Sequence, residues 1–154
     1  MPIRGIRGAT AVNADTAEEI LAGTRQLLET ILRANSTLQA EDVASVIFTV
    51  TDDLKAVHPA QAARDLGWKH VPLMCAREIP VPGSLPLCIR VLLHWNTELP
   101  QSAIRHVYLG AATRLRPDMN VADDEPLVRV SAGPICRPRS SESAALFSAK
   151  KRPL

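Results

Sequence analysis

The chain has 154 residues, of which 46% are hydrophobic and 22% charged, as expected for one globular domain with a hydrophobic core. Aromatic residues make up only 3%, and the net charge of +2 arises entirely from residues 121–154, so nucleic acid is not a predicted partner. No apolar run approaches the ~20 residues of a membrane span. The three cysteines lack metal-type spacing, which predicts free thiols in a reducing cytoplasm and no bound metal.

The first predicted element is a strand over residues 2–12. Its glycines, Gly5 and Gly8, indicate close packing of other groups against the backbone. Arg4 and Arg7 are an odd number of positions apart, so an extended chain places them on opposite faces. Only one of these arginines can therefore serve a site on a given face.

A long amphipathic helix is predicted next. Asp15 stands three residues before Glu18, which is the spacing of a capping box at a helix start. Apolar residues then recur at helical spacing, and the pattern ends near Asn35. The apolar stripe, which predicts a helix covering one face of a sheet, comprises Ile20, Leu27, Leu28 and Ile31.

The remaining elements alternate short strands with short helices. They are a β-branched strand over 43–50, a short helix between Pro59 and Gly67, a strand over 70–75, a proline-rich loop, a strand through Arg90, a last strand over 104–110 and one helical turn before Pro117. This order predicts an α/β (α+β) domain with one mixed sheet and helices on one side. A second or third copy of the chain is the expected cover for the other side.

The chain consists of two regions that differ in composition and in hydrophobic periodicity. Residues 1–120 are predicted to form the folded domain. Residues 121–154 are rich in Ser, Pro and charge without periodicity, which is typical of a mobile tail.

The strand LCIRVLLHW carries Arg90 in the middle of an apolar run. Its guanidinium stays charged, and burying that charge without a partner is costly. Two interpretations remain open. Arg90 extends to water from an edge strand, or it meets an anionic group, for which Glu78 and Cys75 are the nearest polar candidates.

The sequence lacks the residues of several common mechanisms. It has no Ser–His–Asp arrangement, no glycine-rich phosphate loop, no dinucleotide fingerprint and no paired carboxylates. A set of guanidiniums with one carboxylate, one phenol and one thiol can bind a small polyanion and stabilise developing negative charge. The candidate set is Arg7, Arg64, Cys75, Glu78, Arg90, Tyr108 and Arg116.

The motifs RGIRGAT, CxxE followed by CIRV, and IRHVYL occur in this order along the chain. On these motifs, residues 2 to about 119 resemble the monofunctional chorismate mutases of the trimeric, α/β-barrel-like class, which are distinct from the all-helical class. The resemblance implies a homotrimeric pseudo-α/β-barrel with active sites between subunits. It also implies the Claisen rearrangement of chorismate to prephenate in Phe and Tyr biosynthesis, with no cofactor.

The resemblance assigns roles to individual residues. Arg90 would face the breaking ether oxygen and one carboxylate, and Arg7 with Tyr108 would hold a carboxylate. Glu78 with Cys75 would contact the ring-hydroxyl side of the substrate. These residues make the predicted catalytic set Arg7, Glu78, Arg90 and Tyr108. The predicted substrate-binding set adds Arg64, Met74, Cys75, Ala76, Arg77, Leu115 and Arg116.

Two other functions are compatible with the same residues. The first is a trimeric protein that binds a small carboxylate without mutase activity, and the second adds a tail that attaches the enzyme to a partner. His58, Gln61 and Met74 depart from the family pattern at the pocket rim, where they would affect affinity rather than the reaction.

Overall fold

The computed structural model describes residues 1–119, so the predicted tail lies outside the described residues. No helix within those residues is long and apolar enough to cross a membrane. The strands and helices, in chain order, are β1 (Ile3–Ala11), α1 (Ala17–Ala34), β2 (Val43–Val50), α2 (Ala60–Asp65), β3 (Leu73–Arg77), β4 (Cys88–Asn96) and β5 (Val107–Tyr108).

The five strands form one sheet in the order β3-β2-β4-β1-β5. The β4 strand runs antiparallel to both of its neighbours, β1 and β2. The outer pairs, β2 with β3 and β1 with β5, are parallel. The mixed sheet and the α/β class predicted from the element order are therefore confirmed.

Both helices cover the same face of this sheet. The predicted apolar stripe of α1 is buried against the sheet side chains of alternate positions, and Ala60 and Ala63 of α2 join the same core. The prediction that α1 covers one face of the sheet is confirmed. The buried sheet residues in this core are Ile6, Val43, Val46, Phe48, Val91, Leu93, Trp95 and Val107.

The opposite face of the sheet, here called the open face, has no α-helix of residues 1–119 packed on it. A short 3-10 helix at Gly110–Leu115, where one helical turn before Pro117 was predicted, packs against one end through Ala112 and Leu115. By strand register and alternation, the open face carries Arg7 and Ala9 of β1, Ser45, Ile47 and Thr49 of β2, Met74 and Ala76 of β3, and Cys88, Arg90, Leu92 and His94 of β4.

The start of α1 differs from the prediction. Thr16 caps the helix, because its hydroxyl accepts a hydrogen bond from the Glu19 N–H at 3.2 Å. The carboxylate of Asp15 instead accepts from the N–H groups of Lys55 and Ala56, at 2.8 and 2.9 Å. The predicted cap at Asp15 is therefore wrong by one residue, since a contact distant in sequence uses this carboxylate. The predicted end at Asn35 is confirmed.

Two strand boundaries also shift. The strand predicted over 70–75 begins at Leu73, and the last strand shortens from 104–110 to Val107–Tyr108. The N–H of Arg7 donates to the His106 ring at Nδ1, 3.0 Å away, instead of to a backbone carbonyl. The His106 side chain thus takes the hydrogen bond that a backbone carbonyl of β5 would accept, and β5 begins only at Val107.

Gly8 permits the close contact between β1 and α1. A Cβ atom on Gly8 would lie 3.0 Å from Ile31 Cδ1 and 3.0 Å from Val91 Cγ1. A Cβ on Gly5 would come no closer than 3.8 Å, to Leu92 Cδ1, which is ordinary van der Waals contact. The crowding predicted from the two glycines is present at Gly8 and absent at Gly5.

We expect Gly8→Ala to lower the free energy of unfolding by roughly 1–3 kcal/mol, because the added methyl overpacks the core. Urea denaturation followed by circular dichroism measures this change. Gly5→Ala is the matched control in the same strand and should have a midpoint close to that of the parent. Equal midpoints for the two variants would contradict the packing argument.

Candidate active site

Arg90 lies on the open face of β4, which is hydrogen-bonded on both sides and is not an edge strand. The interpretation of Arg90 as an edge-strand arginine is therefore wrong. Its Nε lies 3.5 Å from Glu78 Oε1, with the side chains 31% and 23% exposed respectively. An anionic partner therefore meets the guanidinium, and that partner is Glu78.

Glu78 is held by β2 as well as by Arg90. Its backbone N–H donates to the Val50 carbonyl at 2.9 Å, and the Thr49 hydroxyl donates to Oε1 of its carboxylate. Sequence reasoning did not single out Thr49. Alternation along β2 indicates which face Thr49 occupies, but the register that places Thr49 opposite Arg90 is visible only in the folded sheet.

Two buried polar atoms on this face have no hydrogen-bond partner among residues 1–119: Arg90 Nε and Tyr108 Oη. Ala9 of β1 pairs with Arg90 on one side and with Tyr108 on the other, so the two side chains flank one position. A buried donor without an acceptor costs roughly 1–3 kcal/mol. The arrangement therefore suits a ligand that brings hydrogen-bond acceptors.

Two further arginines, Arg7 and Arg116, lie near His106. Burial lowers the pKa of its imidazole, and the positive charges of Arg7 and Arg116 lower this pKa further. Arg116 is oriented by Asp118, with contacts of 3.0 and 2.8 Å from Nε and Nη2 to the two carboxylate oxygens. Arg7 thus lies on the open face of β1, and Arg116 is close enough to act on the same imidazole, just before β5.

An apolar cluster adjoins these charged groups. Tyr108 packs with Ala9, Cys88 and Ala112, and Leu115 packs against them. Burial raises the pKa of the Cys88 thiol, and the nearby Arg90 opposes this rise only in part. The thiol is therefore kept neutral, and the cluster supplies an apolar border to the site.

The other predicted residues form a second group around β3 and α2. Cys75, Ala76 and Arg77 line a depression of about 580 Å³ together with residues of the loop 50–59, including His58. Cys75 is in register with Phe48 and so lies on the helix-covered face, whereas the Glu78 carboxylate meets Thr49 on the open face. Arg77 pairs with Asp52.

Two more predicted residues, Met74 and Arg64, belong to this second group but do not line the same depression. Met74 is on the open face with 57% of its surface exposed. Arg64 lines a depression of about 400 Å³ with Gln61 and Trp68. A single chain therefore brings together one group of predicted residues, here called the Arg90 group: Arg7, Glu78, Arg90, Tyr108, Leu115 and Arg116. It leaves Arg64, Cys75 and Arg77 in the second group.

The group of residues around Arg90 can bind anions and stabilise negative charge. Three guanidiniums and a phenol can contact carboxylates and ether oxygens, and Glu78 can accept a hydrogen bond from a hydroxyl. Within residues 1–119, no three His, Cys, Asp or Glu side chains are grouped as a metal site would require.

The model of the family described as chorismate mutase type I matches residues 3–119. The chain belongs to this family. Chorismate mutase AroH of Thermus thermophilus is 57% identical over 120 residues, which cover 78% of this chain and 98% of that protein. Chorismate mutase AroH of Bacillus subtilis is 50% identical over 128 residues, covering 82% and 100%.

A solved structure leads to the same family. The chorismate mutase from Clostridium thermocellum has a TM-score of 0.70 and 51% sequence identity, covering 71% of this chain and 97% of that chain. The predicted family, the chorismate mutase activity and the isomerase class are confirmed by these likenesses. The predicted involvement in aromatic amino-acid biosynthesis follows from that activity.

Protonation of His106 should destabilise the fold. Its folded-state pKa lies below the ordinary value of 6.5, so the unfolded state binds the proton more tightly. This contribution to stability is complete above the unfolded pKa and is lost as the pH falls. His106→Asn, which keeps an acceptor for the Arg7 N–H but does not titrate, should lose less stability than the parent between roughly pH 7.5 and pH 5.5.

Urea midpoints of parent and His106→Asn at the two pH values measure this difference. The same acid-dependent loss in both proteins would show that His106 does not contribute to it.

Proposed function

We propose that the open face supplies the charged half of the chorismate mutase site, with Arg90 stabilising the ether oxygen as its bond to carbon breaks. The observation that supports this role is the buried Arg90 Nε, which lacks an acceptor among residues 1–119, beside the similarly unsatisfied Tyr108 hydroxyl. Chorismate carries two carboxylates and an ether oxygen, all of which are acceptors. The substrate would therefore satisfy donors that the protein leaves unsatisfied.

The reaction suits a site without acid–base groups. In the Claisen rearrangement one C–O bond breaks and one C–C bond forms within a single molecule, with no proton transfer. Catalysis then consists of holding the reactive conformation and stabilising negative charge on the oxygen. Because Arg90 is only 31% exposed on its side chain, its charge acts through a medium of lower dielectric than water.

The neighbouring residues have binding roles in this proposal. Arg7 and Tyr108 hold a carboxylate at the end of the open face, and Glu78 accepts a hydrogen bond from the ring hydroxyl. Leu115 and Arg116 close over the substrate from the segment after β5. This assignment is supported by three observations: Glu78 lies beside Arg90, Leu115 packs against the cluster of Tyr108, and the charges of Arg7 and Arg116 both act on His106.

We infer further that the chain forms a homotrimer with active sites between protomers. The open face exposes apolar side chains, with Met74 57% and Leu92 37% exposed. Arg64 and Cys75 lie apart from the Arg90 group within one protomer, so a neighbouring protomer would bring the second group of residues to the cleft. The proposed location is the cytoplasm, where Cys75 and Cys88, free in this structure, would remain reduced.

Arg90→Lys tests the central role. Lysine keeps the charge but lacks the planar guanidinium that donates from Nε and Nη together. We expect kcat/KM to fall on the order of 10²-fold or more. The measurement is the loss of chorismate absorbance with formation of prephenate, using purified protein without added metal or cofactor.

Arg25→Lys on the exposed side of α1 is the matched control, because lysine can still pair with Glu29 there. It should retain parental kinetics. An Arg90→Lys protein that is folded and as active as the parent would contradict the role proposed for Arg90.

Leu92→Glu tests the assembly. A carboxylate at the centre of the open face would be buried in a trimer that covers this face, so the variant should dissociate to single chains. Light scattering after size-exclusion chromatography gives the mass. Ala22→Glu, at an exposed position of α1, is the control and should remain trimeric. A parent protein that is already monomeric would contradict the trimer.

A further inference from the structure

Thr49 lies between the two groups of the proposed site. It is on the open face of β2, where it pairs with Arg90 of β4 on one side and with Ala76 of β3 on the other. Glu78 follows β3 directly. Thr49 therefore occupies the one strand position that adjoins both the arginine and the segment that carries the carboxylate.

Oε1 of Glu78 faces two donors, of which one is hydrogen-bonded to it. The Thr49 hydroxyl donates a hydrogen bond to this oxygen, while Arg90 Nε stays 3.5 Å away from it. A good N–H···O bond measures about 2.9 Å. The Glu78 carboxylate is thus hydrogen-bonded to Thr49 but not to Arg90. Arg90 Nε therefore has no acceptor among residues 1–119.

If the Thr49 hydroxyl were removed, Arg90 would be the remaining side-chain donor beside the Glu78 carboxylate. Oppositely charged groups at this distance attract each other, and a charge-assisted hydrogen bond is stronger than a neutral one. Glu78 would therefore close on Arg90. The Nε–H would then be satisfied inside the protein, and the guanidinium would be displaced from the position where it meets the substrate.

We propose that Thr49 is a positioning residue that holds Glu78 away from a full hydrogen bond with Arg90 and so keeps Arg90 Nε available to the substrate oxygen. This inference rests on the role proposed above for Arg90. Thr49 does not contact the reacting atoms, and it acts through Glu78.

Thr49→Val removes the hydroxyl at nearly constant volume. We expect kcat to fall roughly tenfold with a much smaller change in KM, because the misplaced guanidinium acts mainly on charge that develops in the transition state. Thr49→Ser keeps the hydroxyl and should restore kcat to within about threefold of the parent. A rise in KM with unchanged kcat, or a Ser variant as impaired as the Val variant, would overturn the proposal.

A nuclear magnetic resonance measurement on the ligand-free full chain tests the geometry independently of activity. The Arg90 Nε–H signal, assigned by its loss in Arg90→Lys, should move downfield in Thr49→Val as Glu78 forms the hydrogen bond. An unmoved signal would overturn the positioning role even if kcat falls. If the parent failed to convert chorismate, the proposed function would fail, and this signal would still decide the role of Thr49.

Ser45→Ala is the matched control. Ser45 lies on the same face of β2, and its hydroxyl contacts His94 at 2.9 Å rather than Glu78. The variant should show parental kcat and an unshifted Arg90 signal. Equal losses in Ser45→Ala and Thr49→Val would attribute the effect to general disturbance of β2 and overturn the inference.

Discussion

The placement of the Arg90 charge is the constraint on which the rest of the site depends. The residue lies in the central strand of the sheet, where β1 and β2 saturate the backbone on both sides and no edge offers a route to water. Its guanidinium can only project from the open face. A charge in that position needs anionic or dipolar partners. Glu78 provides one at 3.5 Å, and Nε is left for a ligand.

The two faces of the sheet differ in what they contact: one packs in the core, and the other carries the candidate site. The helix-covered face holds the large apolar side chains of the core, and Gly8 allows α1 to approach β1 closely. The open face holds Arg7, Arg90 and Tyr108, with Glu78 beside Arg90, and an apolar cluster borders them at one end. Because strand side chains alternate, one apolar strand contributes to both faces: Val91 and Leu93 pack in the core, while Arg90 projects toward the candidate site.

Much of this arrangement was predictable from local pattern. The helix stripe, the strand at 43–50 and the anionic partner of Arg90 follow from periodicity and charge. The cap at Asp15 was wrong because both Asp15 and Thr16 are good caps, and a loop distant in sequence uses the carboxylate of Asp15. Thr49 was missed for a related reason. Its position opposite Arg90 depends on strand register, which the sequence of β2 alone does not contain.

The fold class, the family and the residue types of the candidate site could be predicted from the linear chain, because hydrophobic period and motif order are local properties. Which of those residues meet depends on the folded sheet. It placed the Glu78 carboxylate against Arg90 of β4 and Thr49 of β2, which belong to two other strands. It also made Arg90 a central-strand residue instead of an edge one. These outcomes depend on strand order and register, which are set when the whole sheet packs against α1.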